Sequence, residues 1–256
     1  MSFNRLEADD FVVSAQAQTQ TCWTNNLPTL TTFFTQSNQV AGETGNYYVT
    51  VYDQNPTGSA AAAQFEIAYG NSTGGGALAF NQNAAPGVSP ASTIYGQYRT
   101  LVLEDENSGF VFGGVTGSSI YALSIERSAY KQALFPGSLN LTLSSSIGTG
   151  DTTLKLTDDS NMVNVPTFYG TQRAYQIVRQ GTTPGTSDGI NSGFTNSGSY
   201  GLFLPDTGLM LLNGAALDKP AGVPTAANPD IGIGLGTVRT LDTDGDNNSK
   251  LFQSMV

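Results

Sequence analysis

The chain has 256 residues, of which 20 are acidic and 10 basic, for a net charge of −10. That balance argues against a phosphate backbone, which needs clustered Lys and Arg, and against an anionic membrane surface. Histidine is absent altogether, which removes the usual general base, the Ser–His and Cys–His nucleophile pairs and the commonest metal ligand.

From the N-terminus, MSFNRLEADD lacks an apolar core of the secretory kind, and no apolar run is long enough to span a bilayer. The lone Cys22 forbids an intrachain disulfide, which implies assembly in a reducing compartment. Beside Trp23, with no basic neighbour to activate it, it reads as a small buried residue. Residues 1–44 are polar around Phe11, Trp23, Phe33 and Phe34, and are expected to form an arm or edge segment. A β-rich core is expected over 45–217 and a C-terminal extension over 218–256.

Within that core, alternation and β-branched or aromatic content predict strands at Tyr47–Tyr52, Gln64–Tyr69, Arg99–Leu103, Gly109–Phe112 and Ile120–Ile125. In the second, Phe65, Ile67 and Tyr69 share a face opposite Gln64 and Glu66. Leu139, Leu141 and Leu143 share another, Leu154 and Leu156 repeat the pattern, and Tyr175–Val178 adds a strand. Gly201–Leu204 and Gly208–Leu212 flank Pro205-Asp206-Thr207, a hairpin signal with proline early in the turn and glycine closing it. Arg127–Phe135 is the best helix candidate, stopped by Pro136-Gly137, with a second turn at Ala215–Asp218. Gly70–Gly76 and Gly181–Gly201 read as long surface loops. The expected fold is therefore mainly β: an antiparallel β-sandwich or barrel-like domain with long Gly/Ser/Asn-rich loops and one or two short helices.

Few residues carry chemistry. Asp242, Asp244 and Asp246 have the spacing of the first calcium-loop ligands, but Asn247 replaces the turn glycine and Gln253 the bidentate glutamate. An acidic solvated turn is the plainer reading. Gly70–Gly76 lacks the Lys and Ser/Thr that follow a phosphate cradle. The tight acidic pairs, Asp158-Asp159 and Glu104/Glu106, end predicted strands, where such residues ordinarily make turns. Tyr47, Tyr48, Tyr52, Tyr95 and Tyr98 suit either a sugar-binding groove or core and cross-strand packing. Neither an enzyme nor a cofactor is expected.

Composition points to assembly instead. Charged residues make up 12% of the chain, against about 25% in an average soluble domain. Ser, Thr, Asn and Gln cost less to desolvate than Lys or Glu, so this surface suits being covered by companions. The strings TTFFTQS from Thr31, GNYYVTVYDQNP from Gly45, AQFEIAYGN from Ala63, TIYGQYRTLVLED from Thr93, SIYALSIERSAYKQALFPGSLNLTLS from Ser119 and YGLFLPDTGLMLLN from Tyr200 appear in that order. As an ordered set they resemble virion structural proteins of contractile-tailed phages that infect marine cyanobacteria. The resemblance implies a particle component of the tail or baseplate with no known enzymatic activity. Other virion proteins in a multi-copy assembly are the expected partners, and the charge balance and lack of an apolar span leave no nucleic acid or membrane contact expected. A receptor- or carbohydrate-binding fibre module, or a head or neck decoration protein, is the alternative. The chain departs from the family after AYG, where Asn71 and Gly74-Gly75-Gly76 replace a histidine and a Gly-Ser-Gly-Ser type loop.

Overall fold

The computed structural model describes residues 48–74, 90–130, 132–145, 153–235 and 246–255, and the backbone of 19–20 and 34–37. The strands are β1 (Thr19–Gln20), β2 (Phe34–Ser37), β3 (Tyr48–Tyr52), β4 (Ala63–Asn71), β5 (Phe110–Phe112), β6 (Val115–Gly117) and β7 (Ser119–Ile125). They continue with β8 (Ala133–Leu134), β9 (Leu141–Ser144), β10 (Thr153–Asp158), β11 (Thr167–Tyr169), β12 (Gln172–Arg179), β13 (Gly201–Leu204) and β14 (Leu209–Asn213). The helices are α1 (Pro90–Leu103), α2 (Gly214–Leu217) and α3 (Asp246–Ser254).

The molecule is mainly β, as the alternation predicts, and its antiparallel sheet curls into a half-barrel. The sheet has ten strands in the order β2-β3-β4-β7-β14-β13-β12-β10-β9, with β11 beside β12. Because side chains alternate along each strand, the sheet presents two apolar faces. Phe65, Ile67, Tyr69, Tyr121, Leu123, Met210, Leu212, Phe203, Tyr175 and Ile177 point to the first, where they meet Leu217, Ile233 and Leu251. Ala68, Ile120, Ala122, Leu202, Leu204, Leu209 and Leu211 point to the second, covered by Ile94, Tyr95 and Val102 of α1 and by Phe110 and Phe112 of the β5–β6 hairpin. A strand covered on both sides is apolar along nearly all its length, and β14, LMLLN, is buried throughout, its one polar residue, Asn213, donating to Ser197 O and Ser199 O.

The second face explains where α1 lies. Register pairs Ala68 with Ala122 and Gly70 with Ile120, so small residues occupy the sheet surface beneath the helix. A Cβ on Gly70 would sit 2.8 Å from the Tyr95 backbone nitrogen. The Tyr95 hydroxyl then donates to Gly117 O (2.8 Å) and accepts from Phe110 N (3.2 Å), tying the helix to the hairpin. Gly70→Ala should push α1 off the sheet and cost about 1–3 kcal/mol, seen as a lower urea midpoint; an unchanged midpoint would mean that α1 yields without loss.

Two predicted elements are corrected. Arg99–Leu103 is not a strand but the last turns of α1. Its buried residues Ala91, Ile94, Tyr95 and Val102 follow the helical period from Pro90, and the helix ends at Glu104, which is left-handed with φ 55°. Conversely, Arg127–Phe135 is not an α-helix. It makes a 3₁₀ turn at Arg127–Ala129 and then the short strand β8. Tertiary contacts override helix propensity there: Leu134 N donates to Pro205 O (2.9 Å), and Tyr130 fills the space beside Gly208.

The predicted hairpin at Pro205–Gly208 joins β13 to β14, with Gly208 at φ 66°. Gly181–Gly201 is a loop, but far from a loose one. Arg179, 2% exposed, holds it from inside. Its Nε donates to Asp188 Oδ2 (2.6 Å) and its Nη2 to Ile190 O (2.7 Å). Its Nη1 reaches Phe194 O (3.1 Å), the Tyr200 hydroxyl (3.2 Å) and Pro229 O (3.0 Å).

Candidate interaction surface

The acidic pairs that sequence singles out serve the backbone. Asp158 is fully buried, and its carboxylate accepts from Gly137 N (2.8 Å), Leu139 N (3.2 Å) and Ser160 N (3.2 Å). Asp159 Oδ1 accepts from Gln176 N at 2.9 Å. Asp105 accepts from the Ser108 hydroxyl and from Asn107 N (2.8 Å), which hold its carboxyl below the usual range. The Glu104 carboxyl lies against Gly170, while Glu106 is exposed. Asp158 and Asp105 thus close turns, as Asp commonly does, while Asp159 bonds across to β12. Across the sheet, the Glu66 carboxyl is raised by desolvation and then by the charge of Glu126, with a hydrogen bond from Thr50 opposing the shift. That proximity depends on strand register and has no short-range sequence signal.

Asp242 and Asp244 lie outside the described residues, as do Cys22 and Tyr47. Asp246 begins α3, so a helix follows the aspartate ladder directly. Among the described residues, no group of three or more Cys, Asp or Glu is placed to hold a metal. The glycine-rich stretch opens inside β4: Gly70 and Asn71 are strand residues, and Asn71 Oδ1 caps Thr73 N at 2.9 Å. No helix among the described residues is long and apolar enough to cross a membrane.

The aromatic candidates divide. Tyr95 is core, and Tyr98 is partly buried with its hydroxyl 3.3 Å from Ser124 Oγ. Tyr52 is half-buried, and Tyr48, at the sheet's β3 end, is exposed.

What the strand pattern does not reveal is the connection from β10 to β11. Residues 160–172 carry no charge. Within them Met162, Val163, Val165 and Phe168 are exposed, Val165 by 73% and Phe168 by 56%. The base of this projection is fixed by Met162 N and Val163 N, which donate to Asp159 O at 2.8 and 3.1 Å. The Asn161 side chain also packs there against Gly137 and Gly185, close to the turn that follows the half-exposed Phe135. At the tip, β11 pairs with β12 across Gly170-Thr171, and Gly170 meets Glu104 just beyond α1, whose Leu101 is 59% exposed. Single exposed apolar residues are ordinary; here four fall within an uncharged stretch of ten. Pro166 and the shortness of β11 blunt its edge against strand addition. The available signal in sequence was the run NMVNVPTFYG itself, which alternates too poorly to register as a strand.

No protein-family model, curated protein or solved structure matches this chain.

Proposed function

We propose that the chain is a non-enzymatic structural subunit of a contractile-tailed phage particle, in the tail or baseplate, working by packing against other virion proteins. The observation that carries this reading is the uncharged projection bearing Met162, Val163, Val165 and Phe168. A stably folded chain exposes such a stretch at a cost in solubility, and covering it with a neighbour removes that cost. The sheet, which among the described residues ends in β2 and β9, and the low charge content support the same reading. The resemblance of the ordered strings supplies the setting, a virion assembled in the host cytoplasm. The work is mechanical: apolar anchors on a rigid β scaffold bury against a companion and fix its position.

The test is incorporation into particles. A tagged chain supplied during infection should purify with intact tails. Val165→Asp combined with Phe168→Asp should leave the thermal midpoint within about 2 °C, since exposed positions contribute little to folding. The same pair should reduce incorporation at least tenfold, because interface anchors are worth about 2 kcal/mol or more each. A chain that is absent from particles, or that is a monomer turning over a substrate, would overturn the assignment.

A further inference from the structure

We propose that β9 is a self-pairing edge, through which two copies of this chain join their sheets antiparallel about a two-fold axis at Leu141. Such pairing depends neither on the Met162–Tyr169 projection nor on a virion. Among the described residues no strand lies beyond β9. In an antiparallel pair, alternate residues turn their backbone groups to one neighbour and those between turn to the other. Lys155 O accepts from Gln180 N (2.8 Å), so Lys155 faces β12, and Leu154 and Leu156 on either side of it face β9. The register sets these two against Leu143 and Leu141. Leu139 is also turned inward, its N–H donating to Asp158 Oδ2 (3.2 Å). The residues between them, Asn140, Thr142 and Ser144, therefore turn their N–H and C=O groups outward, and Asn140 and Thr142 are exposed.

Edges are ordinarily guarded by a charge, a proline or a bulge. Residues 137–150 contain neither a charged residue nor a proline, and β9 pairs β10 without a shift of register. Each copy has a net charge of −10, so an uncharged stretch is where two of them approach at least cost. What selects a second copy as the occupant is symmetry in the strand. Ser138–Ser144 reads SLNLTLS, almost the same in both directions about Leu141. Two-fold pairing there sets Leu141 against itself, Leu139 against Leu143, Asn140 against Thr142 and Ser138 against Ser144. Outward backbone groups then meet outward ones, so Asn140 and Thr142 exchange main-chain bonds with Thr142 and Asn140 of the second copy. Moving the axis one residue either way sets Leu139 against Ser145 or Leu143 against Gly137. The leucines also share the first face of the sheet, where Leu143 is fully buried and Leu139 and Leu141 only partly. Pairing covers that remainder and carries the core across the axis. A contact that uses one patch on both copies must be self-complementary; an unrelated strand would need no such symmetry.

Sedimentation equilibrium of the isolated full-length chain should show a reversible dimer. Thr142→Pro removes an N–H that points away from β10, so it should weaken that dimer roughly tenfold or more. The thermal midpoint of its monomer should stay within about 3 °C of the parent. Cysteine cross-linking, in a Cys22→Ser background, tests the register independently. Leu141→Cys should join to its own counterpart on oxidation with diamide, because residues opposed at such an axis lie about 4.5 Å apart, within disulfide reach. Ser144→Cys should not, since its counterpart lies about 20 Å further along the strand. A chain that stays monomeric, a dimer indifferent to Thr142→Pro, or equal cross-linking at both positions would overturn the pairing while leaving the docking surface untouched. Loss of particle incorporation by the Val165/Phe168 variant tests that surface separately.

Discussion

Replacing Arg179 with alanine is expected to lower the stability of the chain by about 3–5 kcal/mol, the cost of breaking a buried, fully bonded ion pair from one side. Arg179 is 2% exposed, and each of its three guanidinium nitrogens has a partner. Those partners span three regions: the loop at Asp188, Ile190 and Phe194, the Tyr200 hydroxyl, and Pro229 in the segment beyond α2. Alanine would leave several carbonyls without donors in a site too enclosed for water to replace them all. It would also free Tyr200, whose hydroxyl donates to Ile231 O and so carries the link onward. Arg179→Lys keeps the charge but loses the planar fork, so it should recover less than half of the loss. Urea denaturation read by tyrosine fluorescence measures both variants. A midpoint for the alanine variant within 0.3 M of the parent, a shift worth about 1 kcal/mol or less, would show that the loop is held by other contacts.

Gly198→Ala is the second substitution expected to be severe, at about 3 kcal/mol. Two independent costs add there. Gly198 has φ 94°, a conformation that charges an L-residue roughly 1–2 kcal/mol, and its Cβ would be driven into the Phe112 carbonyl, an overpacking cost of about 1–3 kcal/mol. The close approach is structural: it brings the Thr195–Gly198 turn, closed by reciprocal backbone bonds of 2.9 and 3.0 Å, onto the β5–β6 hairpin. Because Phe110 and Phe112 of that hairpin cover the second face of the sheet, displacement should propagate to α1. The expected signature is a thermal midpoint lowered by several degrees with a shift in the Phe110 and Tyr95 ring resonances; normal rings and an unchanged midpoint would refute the mechanism.

Much of the sheet was legible because period-two patterning acts locally and the core obeys it. Phe65, Ile67 and Tyr69 do share the first face, and Leu139, Leu141 and Leu143 do pack against the same core. Failures came where the deciding contact is distant in sequence. The Arg99–Leu103 string is β-branched enough to pass for a strand until Pro90, Ala91 and Ile94 are counted with it. For Arg127–Phe135, helical propensity lost to the docking of Leu134 on Pro205, some seventy residues later. Nothing in GTTPGTSDGINSG announces that a single arginine organises it, since its carbonyl partners have no side-chain signature. The projection was overlooked for a related reason: exposure of Val165 and Phe168 is a fact about what fails to pack on them, and sequence patterning detects only what does pack.

The strand order also dictates a sequence of events at the ribosome. β14 is the seam of the sheet, pairing β7 on one side and β13 on the other. Within this sheet β2, β3, β4 and β7 form one set of neighbours, and β9 to β13 another. Until Leu209–Asn213 is synthesised, the first set ends at a bare β7 whose seven residues, SIYALSI, are uncharged and mostly apolar. A nascent chain thus carries an adhesive strand edge from the completion of β7 at Ile125 until β14 is made, and the hairpin that closes at Gly208 is what ends that exposure.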